Sequence, residues 1–201
     1  MRRVRIADLI ASPEEIGELR IFLAQGRLVA IPTETFYGLA VDPTSREGVR
    51  RVFEAKGREE GKPVPVIFAT RKQLEELGAA PPDDVLARYF GIWPAPLTVV
   101  LPLKKPIAAS GDRPNLALRI PACPELVRLL EAIGPVTATS ANRSGETPLT
   151  DPDEVARIFE GAVDLLVDGG PTPGGRPSTL LDATMDPPVV LRPGAFSWPG
   201  R

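Results

Sequence analysis

The pattern that most limits the fold is an alternation of short apolar runs with capped helices, followed by apolar runs that crowd together with no helix between them. Ser12-Pro13-Glu14-Glu15 reads as an N-cap, a first-turn proline and a capping-box acid, and Ile16, Leu19, Phe22 and Leu23 form a stripe that Gly26 ends; this predicts a helix over residues 13 to 25. Leu28 to Ile31 predicts a strand, Arg46 to Ala55 a helix buried through Val49, Val52 and Phe53, and VPVIFA at 64 to 69 a second strand. Thr70 with Gln73 opens a further helix, Asp83 to Phe90 reads as another, and WPAP at 93 to 96 turns the chain into LTVVLPL. LALRI at 116 to 120 is a strand, Pro124 to Ala132 a helix, VTAT a strand, and Asp151 caps a helix to Phe159. DLLVD, STLLD and VVLR are three late strands separated by Gly/Pro turns. Early alternation and late crowding predict an α/β fold with a mixed sheet.

Polar clusters fall at the ends of these strands, where α/β folds bind ligands: PTET at 32 to 35, and SANRSG at 140 to 145. The chain has 201 residues, 43% of them hydrophobic, enough for one domain with a sizeable core. Its formal net charge of −2 argues against a general polyanion binder, so any cationic site must be local. Cys123 is the single cysteine and histidine is absent, which excludes an intramolecular disulfide, the usual zinc ligand sets and a histidine general base. Catalysis is then expected to rest on positioning and electrostatics. The start of the chain carries neither a signal-peptide nor a membrane-spanning pattern, and a cytoplasmic setting is expected.

Lys56, Arg58 and Lys62 flank Gly57 just before the VPVIFA strand. They read either as solvated charges with Glu59 and Glu60 as partners, or as an anion cradle in which a point charge and a two-pronged donor surround a phosphate. Ser140 and Asn142 are either a turn or cap, or uncharged donors to phosphate. Arg119 lies on a strand that looks buried, so it needs either an acidic core partner or a ligand carboxylate. Arg192, before Pro193-Gly194, is a surface cation or a phosphate contact. GGPTPGGRPST at 169 to 179 misses the phosphate-loop pattern, with Arg176 and Pro177 in place of lysine and hydroxyl. Cys123 reads as a packed residue.

Together the segments PTETFYGLA (32 to 40), KGR and KP (56 to 58, 62 to 63), LRIP (118 to 121), TSANRSG (139 to 145), STLLD (178 to 182) and LRPG (191 to 194) resemble the YrdC-type threonylcarbamoyl-AMP synthases, in the family's order over about residues 14 to 197. The resemblance implies an open, twisted mixed sheet with flanking helices around a concave cationic cavity. It implies an enzyme that joins L-threonine, bicarbonate and ATP into threonylcarbamoyl-adenylate and pyrophosphate on the route to threonylcarbamoyladenosine in tRNA. Carried over by position, Lys56 and Arg58 would be catalytic; Arg58, Lys62, Asn115, Ser140, Asn142, Ser178 and Arg192 would bind ATP; Thr35, Arg119 and Ala138 would hold threonine. Mg²⁺ is expected with the triphosphate and not on protein side chains. The downstream tRNA threonylcarbamoyl transferase machinery is the expected partner, with weak tRNA binding and no membrane. A single domain over residues 1 to 201 is expected, without the extra C-terminal domain of the long forms. Glu59, Ile67 and Pro148 depart from residues common in the family. The other readings are an RNA-binding module and a carbamoyl-adenylate enzyme with another acceptor.

Overall fold

The computed structural model describes residues 1–59 and 61–199, so Glu60 lies outside the described residues. In chain order the elements are β1 (Arg2–Arg5), α1 (Ile6–Ala11), α2 (Pro13–Ala24), β2 (Val29–Pro32), β3 (Tyr37–Ala40), α3 (Arg46–Lys56), β4 (Val66–Ile67), α4 (Arg71–Glu76), α5 (Asp83–Phe90), β5 (Leu97–Pro102), β6 (Asn115–Arg119), α6 (Pro124–Ile133), β7 (Val136–Thr137), β8 (Thr139–Ser140), α7 (Pro152–Ile158), β9 (Leu165–Asp168), β10 (Thr179–Asp182) and β11 (Val189–Arg192). The mixed α/β architecture is as expected, but the strands divide between two sheets. One has the order β1-β9-β2-β3-β8 and the other β11-β10-β5-β6-β4-β7.

The caps form as their residue types dictate. Ser12 accepts from the Glu15 amide, Thr70 from Gln73 and Asp151 from Asp153, each satisfying an amide that has no partner inside its own helix. Gly57 ends α3 in the left-handed conformation at φ +59°, which turns the chain sharply after Lys56.

Along the inner strands of the first sheet, β2, β3 and β9, both faces are covered. Val29, Ile31, Leu165 and Val167 pack with α1, α2 and α6, while Ala30, Leu39 and Leu166 enter the second core cluster. These inner strands accordingly read as nearly unbroken apolar runs, whereas the edge strand β1 is Arg-rich and exposed apart from the half-buried Val4. Along β5, β6 and β10 the second sheet has one face in the core, whereas β4 and β7 are buried throughout. Leu97, Val99, Leu101, Leu116, Leu118 and Leu181 point into the core, and the intervening residues face a cavity.

VTAT is not one strand. Val136–Thr137 pairs with β4 in the second sheet and Thr139–Ser140 with β3 in the first, so Ala138 is the point where the chain passes between them. The crossing is fixed by backbone bonds from Ala138 N to Pro65 O and from Thr137 N to Val41 O, 2.8 and 2.9 Å. The strand at VPVIFA contracts to Val66–Ile67, while β1, α1 and β3 form where no element was predicted. Among the described residues no helix is long and apolar enough to cross a membrane.

Candidate active site

The cavity encloses about 780 Å³ between the open face of the second sheet, the PTET loop after β2 and the segment from Ala138 to Ser140. Its floor follows the two-residue period of the strands: Thr98 and Val100 from β5, Asn115, Ala117 and Arg119 from β6, and Ser178, Leu180 and Asp182 at β10. Val100 is paired with both Ala117 and Asp182, so the middle of the floor is apolar with a carboxylate at its border. Among the described residues Arg58, Lys62, Arg113, Arg119 and Arg192 line it, against the single acid Asp182. Five cations and one carboxylate favour an anionic ligand.

Arg119 is 7% exposed and pairs with Glu34 of the PTET loop. The sequence had left open whether a core acid or a ligand holds this guanidinium, and the structure supplies the acid. The ion pair engages Nη1 and Glu34 Oε1, while Glu34 Oε2 is buried with no donor among the described residues. Burial pushes the Arg119 pKa down, opposed by Glu34 and aided by Arg192. The rest of the guanidinium has no side-chain partner among the described residues and borders the cavity.

Thr35, the expected threonine contact, lines the cavity beside Thr33, with 3.2 Å between their hydroxyls. Thr33 Oγ1 also donates to Phe36 O and accepts from the Thr35 amide, which holds the loop in a tight turn. Tyr37 is core: its hydroxyl donates to Gly170 O and accepts from Gly169 N, and burial pushes it up to about 12. The Gly/Pro segment that imitates a phosphate loop is laid across PTET instead, with Gly174 N donating to Thr35 O at 2.6 Å. It brings Pro177 and Ser178 to the cavity wall.

Ser178 Oγ lies 2.9 Å from Thr98 Oγ1, and its carbonyl accepts from Arg192 Nη2 at 2.9 Å. Gly194 follows because nothing larger fits. A Cβ there would stand 2.3 Å from Pro177 O and 2.4 Å from Thr179 N. Gly194→Ala is therefore expected to lose about 1–3 kcal/mol in denaturant unfolding and to shift Ser178 and Arg192 together. An unchanged unfolding midpoint would contradict this packing account.

Lys56, expected to be catalytic, and Asn142, expected to bind ATP, are both buried and are not among the residues that line the cavity. Lys56 is 5% exposed, and its ammonium donates to Ser140 O, Asn142 O and Asn142 Oδ1 at 2.5, 2.9 and 3.2 Å. Burial, and then the Arg58 charge, push it down to about 8. It still holds its proton at neutral pH, and its three N–H groups are all engaged. Asn142 donates in turn to Arg143 O and Glu146 O, and Ser140 Oγ donates to Asn142 Oδ1. The loop is thus built around Lys56, and Ser140 is the member presented to the cavity.

Arg58 lies 5.9 Å from the Phe53 ring centre and Lys62 3.4 Å from Glu59, both on the cavity border. Glu59 is exposed over 87% of its side chain, so its carboxylate pairs with Lys62 under solvent screening and not in a buried setting. Ile67, Pro148 and Ala138 supply apolar wall. Cys123 caps α6, and burial pushes its thiol up, as suits a packed residue. Sequence reading missed Glu34, Thr98, Arg113, Leu180 and Asp182 as site residues. The alternation against the buried leucines of β5, β6 and β10 was the signal that could have found Thr98, Leu180 and Asp182.

Residues 22–194 match the model of the Sua5/YciO/YrdC family, described as "Telomere recombination". A threonylcarbamoyl-AMP synthase of Pyrococcus abyssi is 42% identical over 193 residues, covering 91% of this chain and 56% of that one; the chain thus spans little more than half of that relative's length. A threonylcarbamoyl-AMP synthase of Coxiella burnetii is 34% identical over 165 residues, covering 80% of this chain and 88% of that one. A crystal structure of P. abyssi Sua5 complexed with L-threonine superposes with a TM-score of 0.82 at 38% identity, over 96% of this chain and 56% of that one. With a family match that takes in every strand except β1 and the residues that line the cavity, the chain belongs to the Sua5/YciO/YrdC family.

Proposed function

We propose that this protein is an L-threonylcarbamoyladenylate synthase, a nucleotidyl-transferring enzyme that makes threonylcarbamoyl-AMP and pyrophosphate from L-threonine, bicarbonate or CO₂, and ATP. The observation that carries the reading is one cavity with two kinds of anion site. A buried guanidinium with a free edge suits one carboxylate, and Arg58, Lys62 and Arg192 with Ser140 suit a chain of phosphates. Its volume of about 780 Å³ lies in the upper part of the range for small-molecule sites, as two substrates require.

In this reading Arg119 takes the threonine carboxylate, and the loop at Thr35 offers a hydroxyl to the substrate hydroxyl. The free threonine amine adds to CO₂ and its nitrogen gives up a proton to solvent, leaving a carbamate. A carbamate oxygen attacks the α-phosphorus of ATP, and pyrophosphate leaves in line. The nucleophile belongs to the substrate, so no side chain must be activated, which agrees with a chain lacking histidine. The protein's part is alignment and neutralisation of phosphate charge. Magnesium would enter with the triphosphate, whose oxygens suit a hard cation. The product would pass to a transferase acting on tRNA.

The test is pyrophosphate release from ATP and bicarbonate with each amino acid in turn. L-threonine alone, or far above the rest, is expected to support it, because a site that pairs a hydroxyl rejects analogues without one. Release independent of amino acid would overturn the reading.

A further inference from the structure

Arg119 meets the cavity already half engaged. Glu34 occupies Nη1, and the remaining edge is what a ligand carboxylate would find. A carboxylate retained only for stability would be expected to bond through both oxygens, yet Glu34 Oε2 is buried without a donor among the described residues. The negative charge of Glu34 thus lies across one guanidinium from the incoming anion.

We propose that Glu34 is a positioning residue that tempers Arg119: it fixes the guanidinium and offsets part of its charge, so that a substrate carboxylate is held loosely enough for product to leave. The inference rests on the threonine reading above. Threonine and threonylcarbamoyl-AMP present the same carboxylate, unchanged by the reaction. Attraction to it therefore favours substrate, transition state and product alike, which does not speed the chemical step and does slow release. A like charge held nearby in a buried setting opposes that attraction.

Glu34→Gln separates the two parts, since the amide oxygen still accepts from Arg119 while the charge is gone. Calorimetric titration of L-threonine into the full chain, without ATP, is expected to show binding tighter by on the order of tenfold in Glu34→Gln. In turnover, kcat should fall with a burst of pyrophosphate, as product release becomes limiting. Glu34→Asp, which draws the charge back by one methylene, should shift both in the same direction by less, and serves if the glutamine variant does not fold. A folded variant that binds threonine as the wild type does, or more weakly, overturns the inference and leaves the threonine reading standing. A wild-type protein that binds no L-threonine, with or without ATP, overturns both.

Discussion

Arg119→Met is expected to lose about 3–5 kcal/mol of folding stability, because it strands the Glu34 carboxylate at a side-chain exposure of 12% with no cation beside it. The same variant should abolish threonine-dependent pyrophosphate release while leaving nucleotide binding within a few-fold. Stability and function can be told apart by adding Glu34→Leu, which removes the stranded charge. The double variant should recover most of the lost stability, since replacing both members of a buried pair by apolar groups is often close to neutral. It should recover none of the activity. Urea unfolding and the pyrophosphate assay, run on both variants, check this; activity regained together with stability would reduce Arg119 to a structural role.

Lys56→Met is expected to cost about 3 kcal/mol, through three lost bonds from the ammonium and an Asn142 carbonyl left without a donor, while Ser140 O keeps the Asn142 amide and Asn142 Oδ1 keeps the Ser140 hydroxyl. The loss should be local before it is global. Ser144 N bonds to Lys56 O, and Asn142 holds Arg143 and Glu146, so hydrogen exchange should accelerate first over residues 140 to 146. Because Ser140 is delivered to the cavity by this loop, ATP use should weaken although Lys56 is not among the residues that line the cavity. Normal protection of the loop in the variant would contradict the account.

Much of the fold was legible because its signals are local. Ser12, Thr70 and Asp151 cap the helices that their spacing predicts, and the leucines of β5 and β6 alternate as a sheet with one buried face requires. What was not legible depends on partners distant in sequence. β1 forms because Arg2–Arg5 pairs in parallel with β9, more than 150 residues on, and nothing in its own residues announces that. The division into two sheets turns on Ala138, one residue inside a run that reads as a single strand.

The site shows the same boundary. Arg119, Arg58, Lys62, Ser140, Ser178 and Arg192 are brought to one cavity as strand-end placement suggested. Lys56 looked like a free cation in a charged cluster, and only the fold reveals that the carbonyls of Ser140 and Asn142 surround it. Glu34 was a polar letter in PTET until β6 placed Arg119 against it.

The most direct test of the central claim follows the atoms. The protein is incubated with MgATP, L-threonine and isotopically labelled bicarbonate, and the nucleotide product is weighed by mass spectrometry and fragmented. The account predicts a threonylcarbamoyl-AMP mass that carries the label in its carbamate carbon, formed in step with pyrophosphate. AMP and pyrophosphate without incorporated label, or no turnover by folded protein, would contradict it.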